Sequence, residues 1–245
     1  MTSGWDFSGY FVVDRHLDDD RCAALLGRIE TYVAGHDLPL VHRPHARRQL
    51  HYRVIDGLRV AQDLAVLDPI CAEVKALVEA RLGVRLQLLA DRRVAVNVNV
   101  TPPGGSYRWH YDRNPLTALL YLNAVEGGAL EVCPDYRLSH GRHSGAVGRA
   151  ADRVLQTWPA RRAFGRTVSL TPRPGDLVVM RGDRCLHSVS PVTGDRDRVN
   201  VVISFDDAEH PRVRAQDGDE LDTYLYSQDQ VRSADPNYRR AGPAT

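Results

Sequence analysis

The spacing of apolar residues along this chain changes near residue 84. Before that point apolar positions recur at helical spacing in two runs. Asp18, Asp19 and Asp20 offer an N-cap and an acidic first turn, which predicts a helix through about Tyr32. A second helix is expected from Asp68-Pro69 to Gly83, where glycine is a typical helix stop. Residues 9–13 predict a short strand ahead of both helices.

From residue 84 onward, apolar and polar residues alternate, which is the period of half-buried strands. The runs that predict strands are 86–90, 94–100, 107–112, 116–123, 129–133, 167–170, 176–181, 186–189 and 198–205. Two helices followed by many short strands favour a mostly β fold, with the helices packed on one face of a closed or double-sheet barrel. The mouth of such a barrel commonly holds a small-molecule site.

The chain is therefore expected to form a single domain over residues 1–245. Its parts are a mainly helical support over 1–83, a barrel core over 84–206 and a polar tail over 207–245. A polar, Arg-rich segment over 134–166 interrupts the core as an insertion between strands.

The amino-acid composition limits which classes of binding partner and which cellular location are expected. Of the 245 residues 43% are hydrophobic and the formal net charge is +1, so no global field favours nucleic acid or a membrane surface. No apolar run is long enough to span a bilayer. The four cysteines (Cys22, Cys71, Cys133 and Cys185) are scattered without a CxxC pair. We therefore expect reduced thiols and a cytoplasmic location. The composition does not address the oligomeric state.

The main candidate for chemistry is the pair His110 and Asp112. On a strand these residues share one face, while Trp109 and Tyr111 share the other. His187, at the start of a later strand, is a candidate third ligand. Two histidines and one carboxylate on one side of a metal suit iron(II) and leave three positions open, two for a 2-oxo acid and one for dioxygen.

The alternative is that His110 and Asp112 are ordinary strand residues, because an HxD pair arises often by chance. Arg198 favours the metal site. Turn-forming residues over 191–196 predict a hairpin that would bring Arg198 back beside the strand of His187. A guanidinium there can hold the far carboxylate of a five-carbon diacid, 2-oxoglutarate, whose other end chelates iron.

At this point the chain resembles a known family. The segment from Asn97 to Phe205 is similar to the iron(II)/2-oxoglutarate-dependent oxygenases of the prolyl-4-hydroxylase-like group, in its bacterial small-molecule branch. The matching pieces are His110-Tyr111-Asp112, Leu119-Leu120-Tyr121-Leu122-Asn123, Glu126-Gly127-Gly128-Ala129-Leu130, Pro174-Gly175-Asp176, His187-Ser188-Val189-Ser190-Pro191-Val192 and Arg198.

The resemblance implies a double-stranded β-helix fold of the jelly-roll or cupin type. It implies iron bound by His110, Asp112 and His187, and 2-oxoglutarate held by Arg198. Prolyl hydroxylases proper carry Lys at the position of Arg198. The family's further 2-oxoglutarate contact, a tyrosine, has no clear match, so the candidates for it are Asn97, Asn99 and Tyr107.

The implied activity is a dioxygenase reaction that decarboxylates 2-oxoglutarate to succinate and oxidises, in the first instance hydroxylates, an unactivated C–H bond. Related halogenases have a small residue where Asp112 stands, which argues against halogenation. An amino acid or a specialised metabolite is the expected substrate. The alternatives are a peptidyl hydroxylase of the prolyl type and a non-catalytic cupin-like metal-binding barrel. A zinc hydrolase is disfavoured, because no general base is obviously placed beside the triad.

Residues around the barrel mouth are candidates for substrate contact. They are Arg113, Asn114, Asn200 and Arg137. The Arg-rich segments 42–53 and 134–166 are candidate lids whose charge favours an anionic substrate. The alternative interpretation, solvated surface loops, fits these segments as well.

Overall fold

The computed structural model of this protein describes residues 7, 9–38, 40–42, 50–112, 114–137, 151–152, 154–155 and 157–211. The helices are α1 (Asp19–Gly35), α2 (Gly57–Asp63), α3 (Asp68–Leu82), α4 (Arg92–Ala95) and α5 (Trp158–Phe164), with a 3-10 turn at Ala65–Leu67. The strands are β1 (Tyr10–Val13), β2 (Val41–His42), β3 (Leu50–Ile55), β4 (Leu86–Leu88), β5 (Val96–Thr101), β6 (Ser106–His110), β7 (Leu116–Tyr121), β8 (Leu130–Cys133), β9 (Val168–Leu170), β10 (Leu177–Met180), β11 (Leu186–Val189) and β12 (Arg198–Asp207).

The two predicted helices, α1 and α3, form where the sequence places them. The side chain of Asp18 accepts a hydrogen bond of 2.8 Å from the backbone N–H of Arg21, which caps α1. Helix α3 ends at Gly83, whose φ of 66° lies in the left-handed region that glycine adopts without a steric penalty. Both helices bury one apolar face against the sheet.

All strand pairs are antiparallel, and the strands follow one another in the order β1-β10-β7-β12-β5-β3-β6-β11-β8-β9, with β2 on β3 and β4 on β12. Strand β3 bends between two layers. Its residues Arg53–Ile55 pair with β5, whereas Leu50 and His51 pair with β6. We call β1, β10, β7, β12, β5 and β4 the first sheet, and β2, β6, β11, β8 and β9 the second sheet. The two facing sheets confirm the predicted double-stranded β-helix.

Apolar residues fill the spaces on both sides of the first sheet. The larger cluster joins α1 and α3 to the outward residues of β7 and β12, including Leu120 and Val201. A smaller cluster lies between the two sheets and includes Leu119 and Tyr121 from β7 and Val132 from β8. Strand alternation thus separates a helix-facing side of the first sheet from a side that faces the barrel interior.

Several predicted elements differ in detail. The run 86–90 forms only the three-residue strand β4, and the run 94–100 begins as helix α4 before it continues as β5. The side chain of Asp91 caps α4 by accepting from the N–H of Arg93, and this local bond competes with extended backbone. The sequence of residues 40–60 has no clear apolar period, yet its described part contains β2, β3 and the start of α2.

The predicted hairpin between β11 and β12 is wrong. β11 pairs with β6 and β8, whereas β12 pairs with β4, β5 and β7, so the connection crosses from the second sheet to the first. Backbone bonds hold the crossing in place. The N–H of Val192 donates to the carbonyl oxygen of Gly105 at 2.9 Å, and the N–H of Thr193 donates to the carbonyl oxygen of Glu126 at 2.9 Å. These bonds occupy the turn residues that a hairpin would use.

None of the helices that the structure describes has the length and apolar character that a membrane crossing requires.

Candidate metal centre

Two neighbouring strands of the second sheet bring the predicted ligands together. His110 is the last residue of β6, and it lies directly opposite His187 of β11 in the antiparallel register. Asp112 follows two residues after His110, so its side chain points to the same side as the imidazole. The structure therefore places all three predicted ligands at one point of the barrel interior.

The three side chains converge on each other. Asp112 Oδ1 lies 3.5 Å from Nε2 of His110 and 3.6 Å from Nε2 of His187. The centroids of the two imidazole rings are 4.1 Å apart. One ligand atom of each residue lies within 4.8 Å of the others, and within the described part of the chain these residues are the group of His, Cys, Asp and Glu side chains that could hold a metal ion.

Each imidazole is oriented by a backbone carbonyl. His110 Nδ1 lies 2.7 Å from the carbonyl oxygen of Arg108, and His187 Nδ1 lies 3.0 Å from that of Cys185. Because a carbonyl can only accept, both rings carry their proton on Nδ1. The lone pair of each Nε2 is therefore directed at the point where the three residues meet, which is the tautomer that a metal-binding histidine needs.

Asp112 lies beyond the end of β6 and is held by other contacts. Its backbone N–H donates to the carbonyl of Gly182 at 2.9 Å, and its Oδ2 accepts from the hydroxyl of Thr117 at 2.5 Å. A Cβ on Gly182 would lie 2.7 Å from Thr117 Oγ1 and 2.8 Å from Asp112 Cβ. Only glycine at position 182 leaves room for the carboxylate in this place.

The electrostatics of the site favour a neutral imidazole at His187 and a charged carboxylate at Asp112. Burial, and secondarily the neighbouring His110, lower the pKa of His187 to about 4, so its Nε2 is unprotonated at neutral pH. Burial alone would raise the pKa of Asp112, but the two imidazoles and the hydroxyl of Thr117 outweigh burial and hold that pKa well below its ordinary value. These are the protonation states in which His187 and Asp112 can bind a cation.

The donor set fits iron(II). Two imidazole nitrogens and one carboxylate oxygen, grouped on one side of a point, form the arrangement that leaves opposite positions open for other ligands. A structural zinc site would instead surround its metal with four protein ligands.

Arg198 is the second feature of the interior. It is 4% exposed and lies at the start of β12, in the first sheet. Its Nη1 donates to Oδ1 of Asn200 at 2.7 Å, and its Nη2 donates to the hydroxyl of Tyr121 at 3.2 Å. Within the described residues no carboxylate pairs with this guanidinium. A buried cation with neutral partners alone is suited to receive the carboxylate of a ligand.

The sequence did not single out Tyr121 or Thr117. Both lie on β7 with side chains toward the interior, and register pairs Tyr121 with Asn200 and Thr117 with Ser204 of β12. Tyr121 also packs its ring 4.9 Å from the guanidinium carbon of Arg198. The sequence offered one indication of their role. Positions 117, 119 and 121 share one face of an apolar strand, and a polar group on an inward face needs a hydrogen-bond partner.

The other candidates have varied positions. Asn97 and Asn99 pair in register with Val202 and Asn200, so they face the barrel interior from β5. The ring of Tyr107 lies 4.5 Å from that of His110. Asn200, proposed as a substrate contact, is instead engaged by Arg198.

Two predicted substrate contacts, Asn114 and Arg137, bind other parts of the protein. The amide of Asn114 donates to Leu116 O and Thr117 Oγ1, so it supports the strand start. Arg137 lies over the ring of Tyr111 at 5.0 Å and bonds to Asp152 and to the carbonyl of Asp183, on the side of the second sheet that faces away from the metal ligands. Arg113 lies outside the described residues, as do residues 43–49 and 138–150 of the two predicted lids.

Gly128 makes room for Arg198. Its φ is +61°, and a Cβ there would lie 3.0 Å from Arg198 Cδ and 3.1 Å from Val192 Cγ2. A small cleft lined by Gly128 reaches Tyr121 and Arg198. The position of the guanidinium therefore depends on the absence of a side chain at residue 128.

We predict that Gly128→Ala weakens 2-oxoglutarate binding by displacing Arg198. An off-rotamer arginine costs about 0.5–1.5 kcal/mol, which is roughly 2- to 10-fold in affinity. Gly104→Ala is the matched control, because Gly104 has a similar φ of +75° but open space around its Cβ position. Both variants should lose about 1–2 kcal/mol of stability. If isothermal titration calorimetry gave the same 2-oxoglutarate affinity for Gly128→Ala and Gly104→Ala, the prediction would be contradicted.

The chain is similar in sequence to one protein family and in fold to several solved structures. Residues 96–206 match the model of the 2OG-Fe(II) oxygenase superfamily. No curated protein sequence matches the chain. Among solved structures, the non-heme alpha ketoglutarate dependent carbocyclase SnoK from nogalamycin biosynthesis superposes with a TM-score of 0.65 at 21% identity, over 86% of this chain and 85% of that one.

Two further structures show the same fold with ligands bound. The epimerase SnoN in complex with Fe3+, alpha ketoglutarate and nogalamycin RO gives a TM-score of 0.64 at 19% identity, over 82% of this chain and 80% of that one. HygX from Streptomyces hygroscopicus, with nickel and 2-oxoglutarate bound, gives 0.59 at 14% identity, over 86% and 87%. His110, Asp112, His187 and Arg198 all lie inside residues 96–206, the segment of this chain that matches the 2OG-Fe(II) oxygenase superfamily model.

Proposed function

We propose that this protein is an iron(II)- and 2-oxoglutarate-dependent dioxygenase that hydroxylates a C–H bond of a small molecule. The observation that carries the proposal is the convergence of His110 Nε2, His187 Nε2 and Asp112 Oδ1 on one point, opposite a buried arginine that has no carboxylate partner among the described residues. Bound iron(II), with 2-oxoglutarate and dioxygen, supplies the oxidation of the C–H bond and the decarboxylation of 2-oxoglutarate to succinate.

In this proposal the chain's own residues position the reactants. His110, His187 and Asp112 hold the metal. Arg198 and Tyr121 hold the distal carboxylate of 2-oxoglutarate through charge-assisted hydrogen bonds. Thr117, which contacts Asp112, and Tyr121, which contacts Arg198, are four residues apart on β7, so their Cα atoms are roughly 13 Å apart.

We assign the opposite half of the interior to the substrate. Strand β12 lies between β7 and β5 in the first sheet, and the guanidinium of Arg198 turns toward Tyr121 on β7. The co-substrate is then confined to the β7 side. Asn97 and Asn99 on β5, with Tyr107 beside His110, border the remaining space. We therefore propose that these three residues contact substrate, although the sequence favoured them as 2-oxoglutarate contacts.

A small-molecule substrate is supported by the relative that was solved with nogalamycin RO, a small organic ligand. Hydroxylation is the simplest outcome of the proposed chemistry. Two of the similar structures are named an epimerase and a carbocyclase, so the same fold also supports other oxidative outcomes. Mass spectrometry of the product separates these outcomes, because only hydroxylation adds 16 mass units to the substrate.

The decisive experiment uses the apo protein under anaerobic conditions. Iron(II) and 2-oxoglutarate together should produce a weak visible charge-transfer band from the chelate. Zinc(II) with 2-oxoglutarate is the matched control, since a d10 ion has no such band. Succinate release on admission of air should follow the band. An iron-containing protein that shows neither the band nor succinate would refute the proposed function.

A further inference from the structure

We infer that Thr117, oriented by Asn114, restricts Asp112 to a single ligand oxygen and so keeps one metal position open for reactants. The inference rests on the proposed function, because it concerns the metal that the triad would hold. Thr117 is a positioning residue in this proposal, since it contacts Asp112 and not the reacting atoms.

The direction of the hydrogen bonds in this cluster is fixed by chemistry. Asn114 Nδ2 lies 2.6 Å from the carbonyl oxygen of Leu116 and 2.8 Å from Thr117 Oγ1. A carbonyl only accepts, so the atom facing it must be the amide nitrogen, which only donates. Thr117 Oγ1 therefore accepts from Asn114, and its single proton is directed to Asp112 Oδ2 at 2.5 Å.

This chain of bonds makes the two oxygens of Asp112 unequal. Oδ2 is engaged by the hydroxyl of Thr117, while Oδ1 lies 3.5 Å and 3.6 Å from the two histidine Nε2 atoms. The backbone of Gly182 also packs closely against this oxygen, because a Cβ there would lie 2.8 Å from Oδ2. The carboxylate cannot turn without breaking the Thr117 bond or displacing the Gly182 backbone. It is therefore held to present Oδ1 alone.

A single-oxygen carboxylate has a consequence for chemistry. Two imidazoles and one oxygen leave three positions on an octahedral ion, the number that a bidentate 2-oxo acid and dioxygen require. A carboxylate that used both oxygens would occupy one of these positions. The cluster is also well protected, since Thr117 is 2% exposed and Asn114 is 7% exposed. Water competes poorly for the Thr117 hydroxyl at this depth.

The test compares Thr117→Val, Thr117→Ser and wild type, with Ser204→Ala as a control. Ser204 is a buried hydroxyl residue directly opposite Thr117 on β12. Apo protein is titrated with cobalt(II), and affinity is measured by chelator competition while the visible spectrum reports coordination number. Thr117→Val should bind cobalt(II) about 10- to 100-fold more weakly, as is typical for loss of an outer hydrogen-bond partner, with an altered spectrum. Thr117→Ser and Ser204→Ala should match wild type.

Melting of the apo proteins separates positioning from folding. If Thr117→Val melts like Ser204→Ala yet binds cobalt(II) weakly, the effect is on the metal site. Asn114→Ala leaves the Thr117 hydroxyl free to turn, so it should weaken cobalt(II) binding less than Thr117→Val does. If Thr117→Val does not fold, Asn114→Ala replaces it as the test variant. Affinity and spectrum unchanged in Thr117→Val, or Thr117→Ser as weak as Thr117→Val, would overturn the inference alone. A wild-type protein that binds neither cobalt(II) nor iron(II) would refute the proposed function as well.

Discussion

Asp112→Ala is expected to abolish 2-oxoglutarate turnover and to weaken iron(II) binding by more than about 100-fold, the upper range for loss of an outer-shell partner. The variant removes the only carboxylate among the three converging groups. It also leaves the hydroxyl of Thr117 without its acceptor at a buried position. The measurements are iron(II) affinity by chelator competition and succinate formation by mass spectrometry.

Two further variants make this result specific. Asp112→Asn keeps the size of the side chain and one oxygen but loses the negative charge, so its iron affinity should fall between those of wild type and Asp112→Ala. Asp195→Ala, at an exposed aspartate in the connection before β12, should behave as wild type. If Asp112→Ala kept wild-type iron affinity, the ligand assignment would be wrong, whatever happened to turnover.

Arg198→Leu should raise the dissociation constant of 2-oxoglutarate by about 100-fold while iron(II) affinity stays at the wild-type value. Loss of one partner from a buried, hydrogen-bonded charge pair costs about 2–5 kcal/mol. Leucine preserves much of the volume in this position, so the effect reports the guanidinium. Arg198→Lys should weaken binding less, since it keeps the charge but lacks the planar fork that matches a carboxylate. Calorimetric titration of the apo protein with iron(II) gives the metal affinity, and titration of the iron-loaded protein gives the 2-oxoglutarate affinity.

Arg196→Leu is the matched control for Arg198→Leu, because Arg196 is exposed two residues earlier on the same connection. The co-substrate itself offers a second control. Wild type should bind 2-oxoglutarate far more tightly than pyruvate, which has the same chelating end but no distal carboxylate. Arg198→Leu should bind the two acids nearly equally. A preference for the diacid that survives in Arg198→Leu would show that another residue anchors the distal carboxylate.

Much of this fold followed from local pattern. The Asp18 cap and the Gly83 stop marked the helices, because each satisfies or ends the backbone bonds of its own helix. Alternation placed His110 and Asp112 on one face, since side-chain direction on a strand depends on parity alone. These features are decided within a few residues, and the sequence states them directly.

Strand pairing was less accessible. The turn-forming residues of 191–196 suit a hairpin and a cross-sheet connection equally well, and only the partners of β11 and β12 distinguish the two. Tyr121 was missed for a related reason. Within Leu119–Leu122 it resembles an ordinary core aromatic, and its role depends on β12 placing Arg198 beside it. Both facts depend on residues far apart in sequence, such as Tyr121 and Arg198 at a separation of 77 positions, where no local rule applies.

The cross-sheet connection also bears on how the barrel responds to its co-substrate. His110 and His187 belong to the second sheet and Arg198 to the first. A molecule that contacts all three would therefore bridge the two sheets and restrain their relative motion. A diacid should therefore slow amide hydrogen exchange in β12 and β7 as well as in β6 and β11. A monoacid bound at the metal alone should protect mainly β6 and β11. The set of protected strands would thus show whether a bound acid contacts one sheet or both, without any turnover.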